Sequence, residues 1–211
     1  MRLNQPIPSP KRILKTRYLR LLTMNTFIDL NKTKKEKIVL DKPGKYTAFF
    51  HNLSGRFVFE LNEKGIDLDI FGLFVGKGND IFKVDTVQKH NAPSTTSNLL
   101  IKGVFDDESK FYYQGLIRIE KEGQQSHAYQ KNQNIILSPE TFVESKPFLE
   151  ILANDVFCTH GSTTGKLNQE QMYYLESRGL APKKAEELLI KGFIADIMDR
   201  LPAGVTHITP S

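Results

Sequence analysis

The stretch Ile66-Asp67-Leu68-Asp69-Ile70 alternates apolar and acidic side chains one by one. Successive side chains of a β-strand point to opposite faces, so the spacing predicts a strand with one buried face and one wet face. The run continues through Phe71-Gly72-Leu73-Phe74-Val75. Short β-rich runs lie to either side of it, at 27–30, 37–40, 46–50, 56–61, 67–75, 81–87, 99–105, 111–119, 127–130, 135–137 and 148–152. Gly, Asn and Pro punctuate them, the spacing is about ten residues, and no helical pattern intervenes before Gly161. That grammar fits an all-β sandwich, a barrel, or a solenoid whose turns stack on one another, and periodicity alone does not choose among the three.

After Gly165 the pattern turns helical. Asn168 followed by Gln171 reads as a capping box, Met172, Tyr173 and Leu175 lie on the helix, and Gly179 closes it as a left-handed cap. Pro182 suits the first turn of a second helix, along which Ala185, Leu188, Leu189, Phe193 and Ile197 recur at spacings of three and four until Pro202. The pair is expected to pack on the end of the β body, capping a sheet edge or docking a partner. The organisation read from the chain is a basic, disordered leader over 1–25, a β body over 26–165, a helical segment over 166–202 and a loose tail over 203–211.

The 211 residues suffice for one substantial core, and 39% hydrophobic and 25% charged residues are ordinary globular usage. No apolar run approaches the roughly 18 residues needed to span a bilayer. The single cysteine, Cys158, forms no internal disulfide and fits a reducing, cytoplasmic setting. A net charge of +5 invites a nucleic-acid reading, but residues 1–45 hold 12 Lys/Arg against 3 Asp/Glu, leaving 17 against 21 in the remainder. A mildly acidic body is poor support for phosphate binding. The leader resembles an organelle presequence, but without a Ser-rich or cleavage pattern it reads better as a disordered leader, or as translated upstream sequence ahead of a true start at Met24.

The densest cluster of candidate chemistry is Asn154-Asp155-Val156-Phe157-Cys158-Thr159-His160-Gly161-Ser162-Thr163-Thr164-Gly165, at the junction between the last strand and the first helix. In an extended strand Cys158 and His160 point the same way, and thiolate with imidazole is a soft pair suited to iron or zinc. Two ligands do not complete a site, so further donors would have to come from a partner chain or subunit. Gly161 to Lys166 fails the phosphate-loop spacing, and no ATPase activity is expected. Asp67 and Asp69 could be paired acids of a glycosidase, but adjacent carboxylates on an alternating strand are its solvated face. His51, His90 and His127 read as structural, and the glycosylation matches at Asn31 and Asn52 are idle without a secretory signal.

From His90-Asn91-Ala92-Pro93-Ser94-Thr95-Thr96-Ser97 onward the chain resembles the SufB/SufD family of iron–sulfur cluster assembly proteins. The likeness continues through Phe111-Tyr112-Tyr113-Gln114-Gly115-Leu116-Ile117, Gln130-Lys131-Asn132-Gln133-Asn134-Ile135-Ile136-Leu137-Ser138 and Lys146-Pro147-Phe148-Leu149-Glu150-Ile151. It ends with Asp155 to Gly165 and Tyr173-Tyr174-Leu175-Glu176-Ser177-Arg178-Gly179. Residues 26–89 share only the family's rhythm, and set against the family's pattern the chain is expected to be a short form lacking the N-terminal helical domain.

The resemblance implies a mainly β fold, a right-handed parallel β-helix with a C-terminal helical segment. It implies a SufD-like, non-catalytic subunit in which His160 and its neighbour Cys158 stand at an interface where a cluster is assembled. It also implies partners: a SufC-type ATPase docking on the helices, through Tyr173, Tyr174, Arg178 and Gly179, and a SufB-type subunit, or a second copy, pairing along the β-helix edge. No tightly bound cofactor is expected, only transient iron or an iron–sulfur cluster at that interface. SufB-type chains tend to carry a cysteine in the strand where this chain has Lys131-Asn132-Gln133-Asn134, which argues against sulfur acceptance here. The competing reading is a self-associating β-solenoid used as an interaction module without iron.

Overall fold

The computed structural model describes residues 25–203 and Val205. The expected leader therefore lies outside the described residues, Asn25 apart, and so does the loose tail, Ala203 and Val205 apart. The chain runs β1 (Thr26–Asp29), α1 (Leu30–Thr33), β2 (Lys37–Leu40), β3 (Gly44–His51), β4 (Gly55–Leu61), β5 (Ile66–Gly76) and β6 (Ile81–His90). It continues with β7 (Thr96–Phe105), β8 (Lys110–Ile119), β9 (His127–Ile136), β10 (Phe142–Ile151), β11 (Phe157–Gly165), α2 (Gln169–Ser177) and α3 (Pro182–Met198).

Odd-numbered strands form one sheet in the order β1-β3-β5-β7-β9-β11, and even-numbered strands form the other from β2 to β10. Every pairing is parallel. A hairpin-built sandwich or barrel would pair sequence neighbours antiparallel, so the connectivity identifies a parallel β-solenoid. Successive turns register closely: Asp67 pairs with Thr96, Thr96 with His127 and His127 with Phe157. The corners stack as well. Gly65, Ser94 and Gln125 all take positive φ, and the Ser94 N–H donates to the Gln124 carbonyl at 2.8 Å.

Inward side chains of both sheets fill the lumen. Phe50, Phe57, Phe74, Phe82, Phe105 and Phe111 form a continuous aromatic stack, with ring centroids 4.9–6.5 Å apart. Gly72 leaves the room the stack requires, since a Cβ there would lie 2.8 Å from the Phe50 ring. Nearer the C-terminal turns the lumen becomes polar. Gln88, His90, Thr95, Ser97, Ser126, Gln130, Asn132 and Asn134 are all buried.

The outer face of the odd sheet is not wholly wet, contrary to the alternation seen at 66–70. Phe49, Phe71, Leu73, Leu100 and Val104 point outward and are covered by Ile190, Ile194 and Ile197 of α3. The helical pair thus does not cap the end of the β body as expected: α3 lies across the sheet, because that is where apolar outward residues await cover. Lys102 is buried in the same seam. Its Nζ donates to the Phe193 carbonyl at 2.8 Å and meets Asp196 Oδ2 at 2.9 Å.

Helix α2 has the expected caps. The Asn168 side chain accepts from the Gln171 N–H at 3.0 Å, and Gly179, at φ +92°, closes the helix with its N–H on the Glu176 carbonyl. Pro182 opens α3. No helix among the described residues is long and apolar enough to cross a membrane.

Candidate functional site

Residues 157–165 are not a junction but a strand in their own right, β11, paired in parallel with β9 from Phe157↔His127 to Gly165↔Ile135. It is the last strand of the odd sheet, and β10 is the last of the even sheet. Both strands therefore present an edge with no strand partner among the described residues, a ready template for another chain. The edge is also apolar. Phe142, Phe148, Leu149 and Ile151 of β10 are exposed, as are Leu152 and Phe157, the last at 62%.

Cys158 and His160 share the inward face of β11. Cys158 pairs in register with buried Ala128 and packs in the cluster of Ile117, Ile119, Ala128 and Ala153. His160 pairs with buried Gln130 and, at the open end of the lumen, stands exposed to solvent. Same-side projection of the two donors, read from their i, i+2 spacing, is thus what the strand delivers. The thiol is half-buried, and burial pushes its pKa above the ordinary value, a shift partly opposed by a hydrogen bond from the Ala128 backbone. Such a thiol stays protonated at neutral pH until a metal or a neighbouring cation draws off its proton. No group of three or more His, Cys, Asp or Glu side chains gathers in metal-binding geometry among the described residues. The chain can bring two donors to a metal, and any remaining ones must be external.

The other sequence candidates separate clearly. Gly161 to Gly165 are held in the ladder on β9 rather than curled as an anion loop. Asp69 is engaged by Lys45 at 3.8 Å and by the Asn98 amide at 3.1 Å, as befits a solvated strand face. His90 is buried between Thr95 Oγ1 and Ser97 Oγ, at 2.7 and 2.8 Å, and burial lowers its pKa to about 4. His127 is exposed with its ring 6.0 Å from that of Phe157.

The helical candidates lie elsewhere on the surface. Helix α2 buries none of its residues, and Tyr173 and Tyr174 are 75% and 56% exposed. The Arg178 guanidinium lies over the Tyr174 ring at 5.2 Å. Between α2 and α3 runs a groove of about 330 Å³ with Glu170, Gln171, Tyr174, Leu175, Leu188 and Leu189 along it. The structure thus brings Tyr174 and Arg178 together at the C-terminal end of α2, and it makes Gly179 the helix terminator.

Two features escaped the reading of the sequence. Lys131 to Asn134 is too polar to look like a strand, though β9 runs unbroken through it, and Phe148-Leu149-Glu150-Ile151 is apolar on both faces, which marks an open edge rather than an interior strand.

Comparison with known proteins identifies the family. Residues 31–193 match the family described as SUF system FeS cluster assembly, SufBD core domain. The chain is 32% identical over 162 residues to the iron–sulfur cluster assembly protein SufD of Escherichia coli K12, a match covering 74% of this chain and 38% of that protein. It is 30% identical over 140 residues to a SufBD family protein of Synechocystis, covering 66% and 31% of the two chains. It is likewise 30% identical over 128 residues to SufD of Bacillus subtilis, covering 61% and 29%. The matches thus span between 29% and 38% of these relatives' own length.

Proposed function

Since this chain belongs to the SufBD family of the SUF iron–sulfur cluster assembly system, we propose that it acts in the cytoplasm as a SufD-like, non-catalytic subunit of a cluster assembly complex. The observation that carries the reading is the position of Cys158 and His160: side by side on the inward face of a terminal strand whose edge is open and apolar. A SufB-type subunit, or a second copy, adding strands to β10 and β11 would bring its own donors to that face. Iron or a nascent cluster is then cargo held between two chains, and this chain's part is to supply a thiol and an imidazole on a rigid strand. The groove between α2 and α3, with the exposed Tyr174 and Leu188 beside it, is the surface for a SufC-type ATPase.

The test is anaerobic reconstitution with SufB- and SufC-type proteins from the same source. A stable three-component complex whose cluster yield falls on His160→Ala, with the fold intact, is the expected result. Unchanged cluster yield in the assembled His160→Ala complex would remove the residue's role. A second reading, a self-associating module without iron, is favoured by one observation, the half-burial of Cys158 and the resulting upward shift of its pKa. It predicts a stable homodimer by native mass that ignores both partner proteins.

A further inference from the structure

Gln130 is 1% exposed, yet its side-chain oxygen has no hydrogen-bond partner. The amide is held firmly from the other branch: Nε2 donates to the Gly115 carbonyl, across the lumen, at 3.3 Å. Gly115 is a glycine for this reason, since a Cβ there would collide with the Gln130 amide and the Tyr113 hydroxyl. A buried carbonyl acceptor left without a donor costs roughly 1–3 kcal/mol, so its retention calls for a donor.

Within its own sheet the register limits where that donor can come from. Along its inward row Gln130 is flanked by Leu99 of β7 on one side and His160 of β11 on the other. Leu99 offers nothing polar. Neighbouring strands lie about 4.8 Å apart, and Nε2 of histidine and Oε1 of glutamine are separated from their Cα atoms by the same number of bonds. The two atoms therefore reach the same depth in the lumen. As the structure stands, the His160 imidazole is exposed to solvent. Turned inward by a change of rotamer, its ring would lie in the row beside the amide.

We infer that Gln130 is a positioning residue for His160, its Oε1 accepting the imidazole Nε2–H so that the ring is fixed inward and Nδ1 keeps its lone pair for a metal. A metal-bound histidine characteristically donates its other ring N–H to a carbonyl or carboxylate, which sets both tautomer and orientation. The inference rests on the reading of His160 as a candidate ligand, and it adds the group that would orient it.

The experiment is proton–nitrogen NMR of the metal-free full chain with labelled histidine, at mildly alkaline pH. The expected result is an imidazole N–H signal protected from water exchange, assigned to His160 by its loss in His160→Ala. It should vanish in Gln130→Met and persist in Gln130→Glu, which keeps an acceptor. Absence of the protected signal in the wild-type chain overturns the inference, as does its survival in Gln130→Met. If Gln130→Met does not fold, the wild-type and Gln130→Glu spectra decide. A crystal structure with water alone on Gln130 Oε1 and His160 in solvent also overturns it. Cluster yield in His160→Ala is read separately, so loss of the cluster role with the N–H still protected sinks only the functional reading.

Discussion

Lys102 Nζ and Asp196 Oδ2 meet 2.9 Å apart beneath α3, the lysine side chain only 6% exposed and the carboxylate 41%. The ammonium also lies 4.5 Å from the centre of the Phe193 ring. The pair is lopsided: water reaches the acid but not the base. Asp196→Ala leaves a buried ammonium with one carbonyl, and should cost about 1–3 kcal/mol. Lys102→Met leaves an acid that water can serve, and should cost less. Urea unfolding of the two variants checks the order, and equal losses would contradict it.

His90 makes stability depend on pH. Its folded pKa, about 4, lies below the ordinary 6.5, so between these values the unfolded chain binds a proton that the folded chain refuses. Stability is therefore fully present above pH 6.5, declines as pH falls toward 4, and levels off below. A shift of this size corresponds to about 3 kcal/mol. Urea midpoints measured from pH 4 to 7 should fall with acid in the wild type and flatten in His90→Gln.

Cys158 should react sluggishly with thiol reagents. Burial raises its pKa, so the thiolate fraction at neutral pH is smaller than that of an exposed cysteine. The rate of modification should climb with pH to a midpoint above the ordinary thiol value of 9.0, and denaturation should restore normal kinetics. Rapid labelling of the native chain at pH 7 would contradict the burial.

Leu149 and Ile151 of β10 face the open end of the lumen. Replacing both by lysine should abolish pairing along this edge while leaving the thermal midpoint nearly unchanged. Each leucine-sized side chain buried is worth about 1.5–3 kcal/mol, hence about tenfold or more in Kd. Sedimentation of the variant against the wild type, with and without a SufB-type partner, reads this directly.

Tyr174→Ala should weaken association with a SufC-type ATPase by about tenfold or more, as is common for a central aromatic anchor. Because α2 buries none of its residues, the thermal midpoint should hardly move. Binding calorimetry with the ATPase alone tests it, and unaltered affinity would move the docking surface elsewhere.

Much of the architecture was legible because alternation is strong where both sheets are well paired: 37–40 coincides with β2, and the run at 67–75 falls within β5. The rest was hidden for stated physical reasons. Lys131-Asn132-Gln133-Asn134 reads as a gap, splitting β9 in two, because its inward residues Asn132 and Asn134 are polar and bond each other, Asn134 Nδ2 donating to Asn132 Oδ1 at 2.7 Å. The Thr- and Gly-rich β11 lacks an apolar face, since the lumen beside it is open. Lys102 looks like an outward, solvated lysine until α3 covers it. At the site, the shared direction of Cys158 and His160 was readable from spacing, whereas the row joining His160 to Gln130 needed the register between strands.

A stack whose turns touch only their neighbours behaves like a one-dimensional zipper, with each unit's stability set by what lies above and below it. The turn formed by β10 and β11 has a neighbour on one side only, and the cover given by α3 centres on β3, β5 and β7. It is one of the two end units of the stack, with β1 and β2 at the other, and it is the one that carries Cys158 and His160. A partner strand laid on this edge would give the terminal turn the second neighbour that every interior turn already has.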